Sequence, residues 1–108
     1  MNTLQLRLFA SVAKTLNYSK TAKNFYISQS AVSQYIKGLE NELETKLITR
    51  TSHYVYLTTQ GMEFYKYVLR ILGIMDDAQL RVRSIAKGRT GHIRIATLSS
   101  SAYEFSDC

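Results

Sequence analysis

The sequence predicts a mainly α-helical fold with a single β-hairpin, and three observations carry that prediction. Apolar residues recur at helical intervals in three short segments before residue 45. A stretch rich in Ile, Thr, Tyr and Val, "KLITRTSHYVYLT", then interrupts the helical texture. Beyond it lies a long run whose apolar positions alternate in steps of four and three.

The first helix rests on Leu4, Leu8, Phe9, Val12, Ala13 and Leu16, a one-sided stripe. "LNYS" breaks the pattern, and Ser19 is the expected N-cap of a short second helix, roughly 19–26, with Ala22 and Phe25 inward. Ser28 is the expected N-cap of a third helix from Gln29 to about Glu44, whose oily side is Val32, Ile36, Leu39 and Leu43. Two helices across so short a turn have the spacing of a helix-turn-helix unit. Leu47 and Thr49 alternate with Ile48 and Arg50, and Val55 and Leu57 with Tyr54 and Tyr56, which gives two strands turning around Thr51, Ser52 and His53. Three helices plus this hairpin make a winged helix-turn-helix over residues 1–58.

A long helix follows over residues 59–88, capped by Thr58 or Thr59 and stopped by Gly88. Phe64, Val68, Ile71, Met75, Ala78, Val82 and Ile85 form a continuous heptad seam, and Tyr65, Leu69 and Leu72 form a second stripe suited to packing back on the helical lobe. About 29 residues would span roughly 44 Å. A small lobe cannot cover that length, so the seam is expected to pair with a second copy as a homodimer. Residues 89–108 bring a Gly-rich linker and the alternating "HIRIATLSSS", a strand with no sheet to join. A new domain is expected to begin there.

The chain has 108 residues and a net charge of +6, from 14 basic and 8 acidic side chains. Residues 1–39 carry Arg7, Lys14, Lys20, Lys23 and Lys37 and no acid. A basic lobe of this kind suits a polyanionic partner. The amino terminus lacks the pattern of a signal peptide. The run "VLRILGIM" is too short to span a bilayer. A single cysteine, Cys108, makes no internal disulfide and fits a reducing, cytoplasmic setting.

The outer face of the third helix presents Gln29, Ser30, Ser33, Gln34 and Lys37, where an ordinary solvated helix would favour charged residues. In a helix-turn-helix the second helix enters the DNA major groove, and Gln, Ser and Lys are among the side chains that read it. Short amides and hydroxyls let the backbone approach base edges, and Lys37 reaches toward phosphate. The acids begin only at Glu40.

These residues also resemble a known family. "LRLFASVAKTLNYSKTAKNFYISQSAVSQYIKGLENEL", "KLITRT" and "LTTQG", together covering about residues 1–88, are similar to the amino-terminal domain of LysR-type transcriptional regulators. The resemblance implies a bacterial, cytoplasmic, nucleoid-associated regulator that binds double-stranded DNA in a sequence-specific way. It implies that the long helix pairs two chains. It implies further that residues 89–108 are the truncated start of an α/β effector domain, so a small-molecule effector is expected only where that domain is complete. By the same resemblance Gln29, Ser30, Ser33 and Gln34 match base-contacting positions. Ser19, Lys20, Thr21, Ser28 and Arg50 match positions near phosphate, and the wing tip Ser52, His53 and Tyr54 matches a minor-groove segment. Glu44 stands where the family has Gly, Ile48 where it has Phe, and the wing tip lacks the usual Gly and cation.

Each assignment has a plainer counterpart. Ser28 reads first as a helix cap. Lys20, Lys23 and Lys37 also read as solvated lysines, and Arg50 equally as a ligand of the hairpin's own carbonyls. Tyr26, Tyr35, Tyr65 and Tyr67 read as interhelical packing. His53 has no second ligand near it in sequence, so no metal site is expected, and neither is a cofactor. No Ser–His–acid spacing, phosphate-cradling Gly loop or paired carboxylates point to an enzyme. The alternative function is a dimerisation or protein-interaction module that pairs with a full-length relative without specific DNA binding of its own.

Overall fold

The computed structural model describes residues 1–88. The strand expected from His92, the serine loop behind it and Cys108 lie outside the described residues. In chain order the elements are α1 (Thr3–Thr15), α2 (Tyr18–Phe25), α3 (Gln29–Leu43), β1 (Ile48–Arg50), β2 (Val55–Leu57) and α4 (Thr59–Ala86). The helix-turn-helix with a wing is therefore present as expected.

Local chemistry sets the boundaries. Asn2 caps α1 in a reciprocal box with Gln5: the Asn2 side chain accepts from Gln5 N, and the Gln5 side chain accepts from Asn2 N. The cap of α2 is Asn17, not Ser19, because the Asn17 side-chain Oδ1 accepts from Lys20 N at 2.9 Å. Ser28 caps α3 as expected, accepting from Ala31 N at 3.1 Å. Thr58 opens α4 by accepting from Gly61 N at 2.9 Å. All three short helices end on a left-handed residue that is not glycine: Leu16, Tyr26 and Glu44, with φ of 54°, 58° and 56°.

Met1–Leu72 forms one compact unit, and a second begins at Gly73. In the first, α1 contributes Leu6, Leu8, Phe9 and Val12 to the core, α2 contributes Tyr18 and Ala22, and α3 contributes Val32, Ile36 and Leu39. Leu47, just before β1, Ile48 of β1 and Val68 of α4 complete it. The hairpin is antiparallel, with Ile48 opposite Leu57, Thr49 opposite Tyr56 and Arg50 opposite Val55. Its turn is closed by Thr51, whose N–H donates to Tyr54 O at 2.8 Å and whose hydroxyl accepts from Tyr54 N at 2.9 Å.

The first half of α4 corrects the expected dimer seam. Val68 is fully buried in the Met1–Leu72 core, and the Phe64 ring lies 5.3 Å from Phe9. Tyr65 packs edge-on against Phe9, and Leu72 packs on the same core, whereas Leu69 is half exposed. The lobe needs apolar cover on this side and takes the first two members of the seam for itself. Ile71 stays partly exposed in this unit. Within residues 73–88, Ala78, Val82 and Ile85 are exposed, Ile74 joins them outside the strict heptad, and Met75 is partly buried. Tyr35 and Tyr65 pack as expected, but Tyr67 is half exposed, and Tyr26, on the turn, is 94% exposed.

Candidate nucleic-acid interface

One polar network joins α2, α3 and the wing. Gln29 and Ser33 stand one helical turn apart on α3, so their side chains share a face. Arg50 at the end of β1 bridges them: Nη1 donates to Ser33 Oγ at 3.0 Å, and Nη2 donates to Gln29 Oε1 at 2.9 Å. The guanidinium lies over the Tyr18 ring, 4.1 Å from its centroid. Gln29 Nε2 donates in turn to Ser19 Oγ at 2.5 Å. Four expected site residues, Ser19, Gln29, Ser33 and Arg50, are thus brought together. Tyr18, which no sequence pattern singled out, supplies the surface on which Arg50 rests. Burial pushes the Tyr18 phenol above its ordinary value, Arg50 opposes that rise and Glu40 adds to it.

The rest of the face is open. Gln34 and Lys37 are exposed on α3, Lys20 on α2, and Ser30 beside the cap, where its hydroxyl lies 3.2 Å from that of Ser28. Ser28 itself is occupied as the cap, in line with its plainer reading. Ser52, His53 and Tyr54 are exposed at the wing tip. A shallow polar groove runs from Asn17 and Ser19 past Gln29 and Arg50 to His53 and Tyr54.

Thr21 does not belong to this surface. It is fully buried and hydrogen-bonded to Ser11 at 2.7 Å, so it ties α2 to α1. Its spacing already pointed there, three residues after Tyr18 and four before Phe25, both on the inner side of α2.

Glu40, the first acid of the chain, has a structural role that its place in the sequence did not announce. It is buried, and Oε2 accepts from Leu47 N at 2.9 Å and from Ile48 N at 3.1 Å, which anchors β1 to α3. Lys46 approaches Oε1 at 3.8 Å. The i+4 series Val32, Ile36, Glu40 places it on the apolar side of the helix, a signal available in the sequence. The consequence is electrostatic: the acid nearest the α3 face is turned inward, away from any approaching phosphate.

Among the described residues no group of three or more acidic, His or Cys side chains is placed to hold a metal ion, and no helix is long and apolar enough to cross a membrane.

The family model for the bacterial regulatory helix-turn-helix protein, lysR family, matches residues 3–62. The chain is 39% identical over 95% of its length to the HTH-type transcriptional regulator BudR of Klebsiella aerogenes, of which it spans 72%. It is 34% identical over 95% of its length to the regulator IlvR of Caulobacter vibrioides, of which it spans 35%. Among solved structures it is similar to the BenM DNA-binding domain in complex with catB site 1 DNA, with a TM-score of 0.80 and 33% identity over 85% of this chain and 99% of that one. It is also similar to the CbnR DNA-binding domain in complex with DNA, with a TM-score of 0.75 and 30% identity over 80% of this chain and 99% of that one. Fold, helix-turn-helix and wing therefore converge with these comparisons: the chain belongs to the LysR family of bacterial regulatory helix-turn-helix proteins, and residues 3–62 are its DNA-binding domain.

Proposed function

We propose that this chain is the DNA-reading part of a sequence-specific transcriptional regulator that acts as a homodimer in the cytoplasm, with α3 in the major groove. One observation carries the reading. The outward face of α3 offers Gln29, Ser33, Gln34 and Lys37, no acid occurs in residues 1–39, and Glu40 points its carboxylate at the backbone of β1. Amides and hydroxyls match the donor and acceptor pattern of base edges, and an inward carboxylate leaves phosphate unopposed. In this reading Gln29, Ser33 and Gln34 meet base edges, Ser30 lies beside them, and Lys20, Lys37 and Ser19 lie along the backbone. The wing tip Ser52–Tyr54 extends toward the adjacent minor groove, with His53 in place of a permanent cation.

Pairing in this reading uses the exposed apolar face of α4, Ile71, Ile74, Ala78, Val82 and Ile85. Two copies would set two α3 helices on one side of the duplex, at half-sites about one helical turn, roughly 34 Å, or a multiple apart. Effector sensing belongs to the domain expected beyond residue 88.

In vitro selection of bound duplexes tests the reading. An interrupted palindrome should emerge, with log affinity falling against log salt by about 0.9 per phosphate neutralised. Recovery of unrelated sequences, all retained equally, would contradict it.

A further inference from the structure

We infer that Arg50 is a positioning residue for sequence recognition, acting by holding the Gln29 amide in one flip; the inference rests on the DNA-reading role proposed above. A glutamine amide that turns freely offers its donor and acceptor in either order. Here both ends are held. Gln29 Oε1 accepts from Arg50 Nη2 at 2.9 Å, and Nε2 donates to Ser19 Oγ at 2.5 Å. The oxygen therefore faces the wing and the nitrogen faces α2. One lone pair on Oε1 and one N–H on Nε2 remain for a ligand. That acceptor and donor pair is the complement of the adenine major-groove edge, N6–H and N7. Fixed in one flip, it favours an A·T pair in one orientation over the same pair reversed.

Arg50 is suited to this task by its shape. Its planar fork reaches Ser33 and Gln29 together, and the Tyr18 ring supports the guanidinium from beneath. Among the described residues no carboxylate lies within ion-pair distance of Arg50. Its partners are a hydroxyl, an amide oxygen and an aromatic face, all neutral. A lysine would keep the charge but lacks the rigid planar fork that sets both acceptors in one geometry. Charge and positioning can therefore be separated by substitution.

The test uses the 108-residue chain and duplexes carrying its selected site, with every base pair of one half-site varied in turn. Dissociation constants are measured by fluorescence anisotropy between 50 and 200 mM salt, and thermal melts confirm folding. Arg50→Lys should reduce discrimination at one A·T position by roughly tenfold while leaving the salt slope unchanged. Placed on Gln29→Ala, it should change discrimination by no more than about twofold, because the side chain it positions is gone. Ser19→Ala, on an exposed side chain away from the core, should weaken discrimination at the same position by about threefold, which keeps the inference testable where Arg50→Lys folds poorly. An Arg50→Lys chain as selective as wild type, with Arg50→Ala losing about 0.9 of salt slope, would make Arg50 a plain phosphate contact and overturn the inference. Equal losses with and without Gln29 would also overturn it. A wild-type chain blind to sequence would instead remove the DNA-reading role, and this inference with it.

Discussion

The Glu40 carboxylate holds the backbone N–H of Leu47 at 2.9 Å, seven residues further along the chain. A second bond to Ile48 N makes the same oxygen the hinge between α3 and the wing. The recognition helix and the strand that carries Arg50 are thus fixed to each other by a buried side chain.

Glu40→Ala leaves two buried donors without an acceptor. The expected cost is about 2–4 kcal/mol, whereas Glu40→Gln, which keeps one oxygen as acceptor, should cost about 1 kcal/mol. Urea denaturation followed by circular dichroism measures both. Equal small losses would show that the carboxylate is solvated.

Gly61 lies against the same segment. A Cβ at this position would collide with the carbonyl oxygen of Leu47. Alanine normally favours a helix interior by about 1 kcal/mol over glycine. Here the collision is with backbone, which cannot step aside as a flexible side chain would, so Gly61→Ala should destabilise by about 3 kcal/mol or more. A higher melting temperature for the variant would refute the close approach.

Burial holds the Tyr18 phenol above its ordinary value, with Arg50 opposing and Glu40 reinforcing the rise. The folded chain then keeps this proton more tightly than the unfolded chain. The contribution to stability is complete below about pH 10 and is lost as pH climbs through the raised value. The stability difference between wild type and Tyr18→Phe should be flat from about pH 7 to 9, and the wild type should then fall relative to the variant. Parallel curves up to about pH 11 would contradict the shift.

Two faces of α4 should respond differently to substitution. Val68 is fully buried, so Val68→Ala should cost about 2–3 kcal/mol whether or not the chain pairs. Ile74 and Val82 are 68% and 64% exposed, so Ile74→Asp with Val82→Asp should leave the fold of the Met1–Leu72 unit intact and yield a monomer by light scattering. A persistent dimer would move the pairing surface elsewhere.

How much of this was legible in the sequence depends on what kind of signal each feature leaves. The helix-turn-helix was legible because apolar spacing and Ser28 mark it together, and the hairpin because β-branched and aromatic residues alternate there. The left-handed turn at Glu44 was not read from the sequence, since glutamate by itself gives no sign of a positive φ. The inward place of Val68 was not legible for a different reason. Periodicity identifies an apolar stripe but not the surface it meets, and the lobe's own core came first. The network around Arg50 was out of reach: its members come from three elements, and contacts between distant segments leave no local pattern. Glu40 and Thr21 were readable from i+4 and i+3 spacing, yet a polar residue on an apolar face is easily taken for surface.

The most direct measurement compares wild type with Ser33→Ala, Gln34→Ala on the selected duplex and on a scrambled duplex of equal length at one salt concentration. Wild type should favour the selected duplex by roughly a thousandfold or more. The double variant should lose most of that preference while holding its affinity for the scrambled duplex, because phosphate contacts remain. A double variant as selective as wild type, or a wild type that binds both duplexes equally, would contradict recognition through the α3 face.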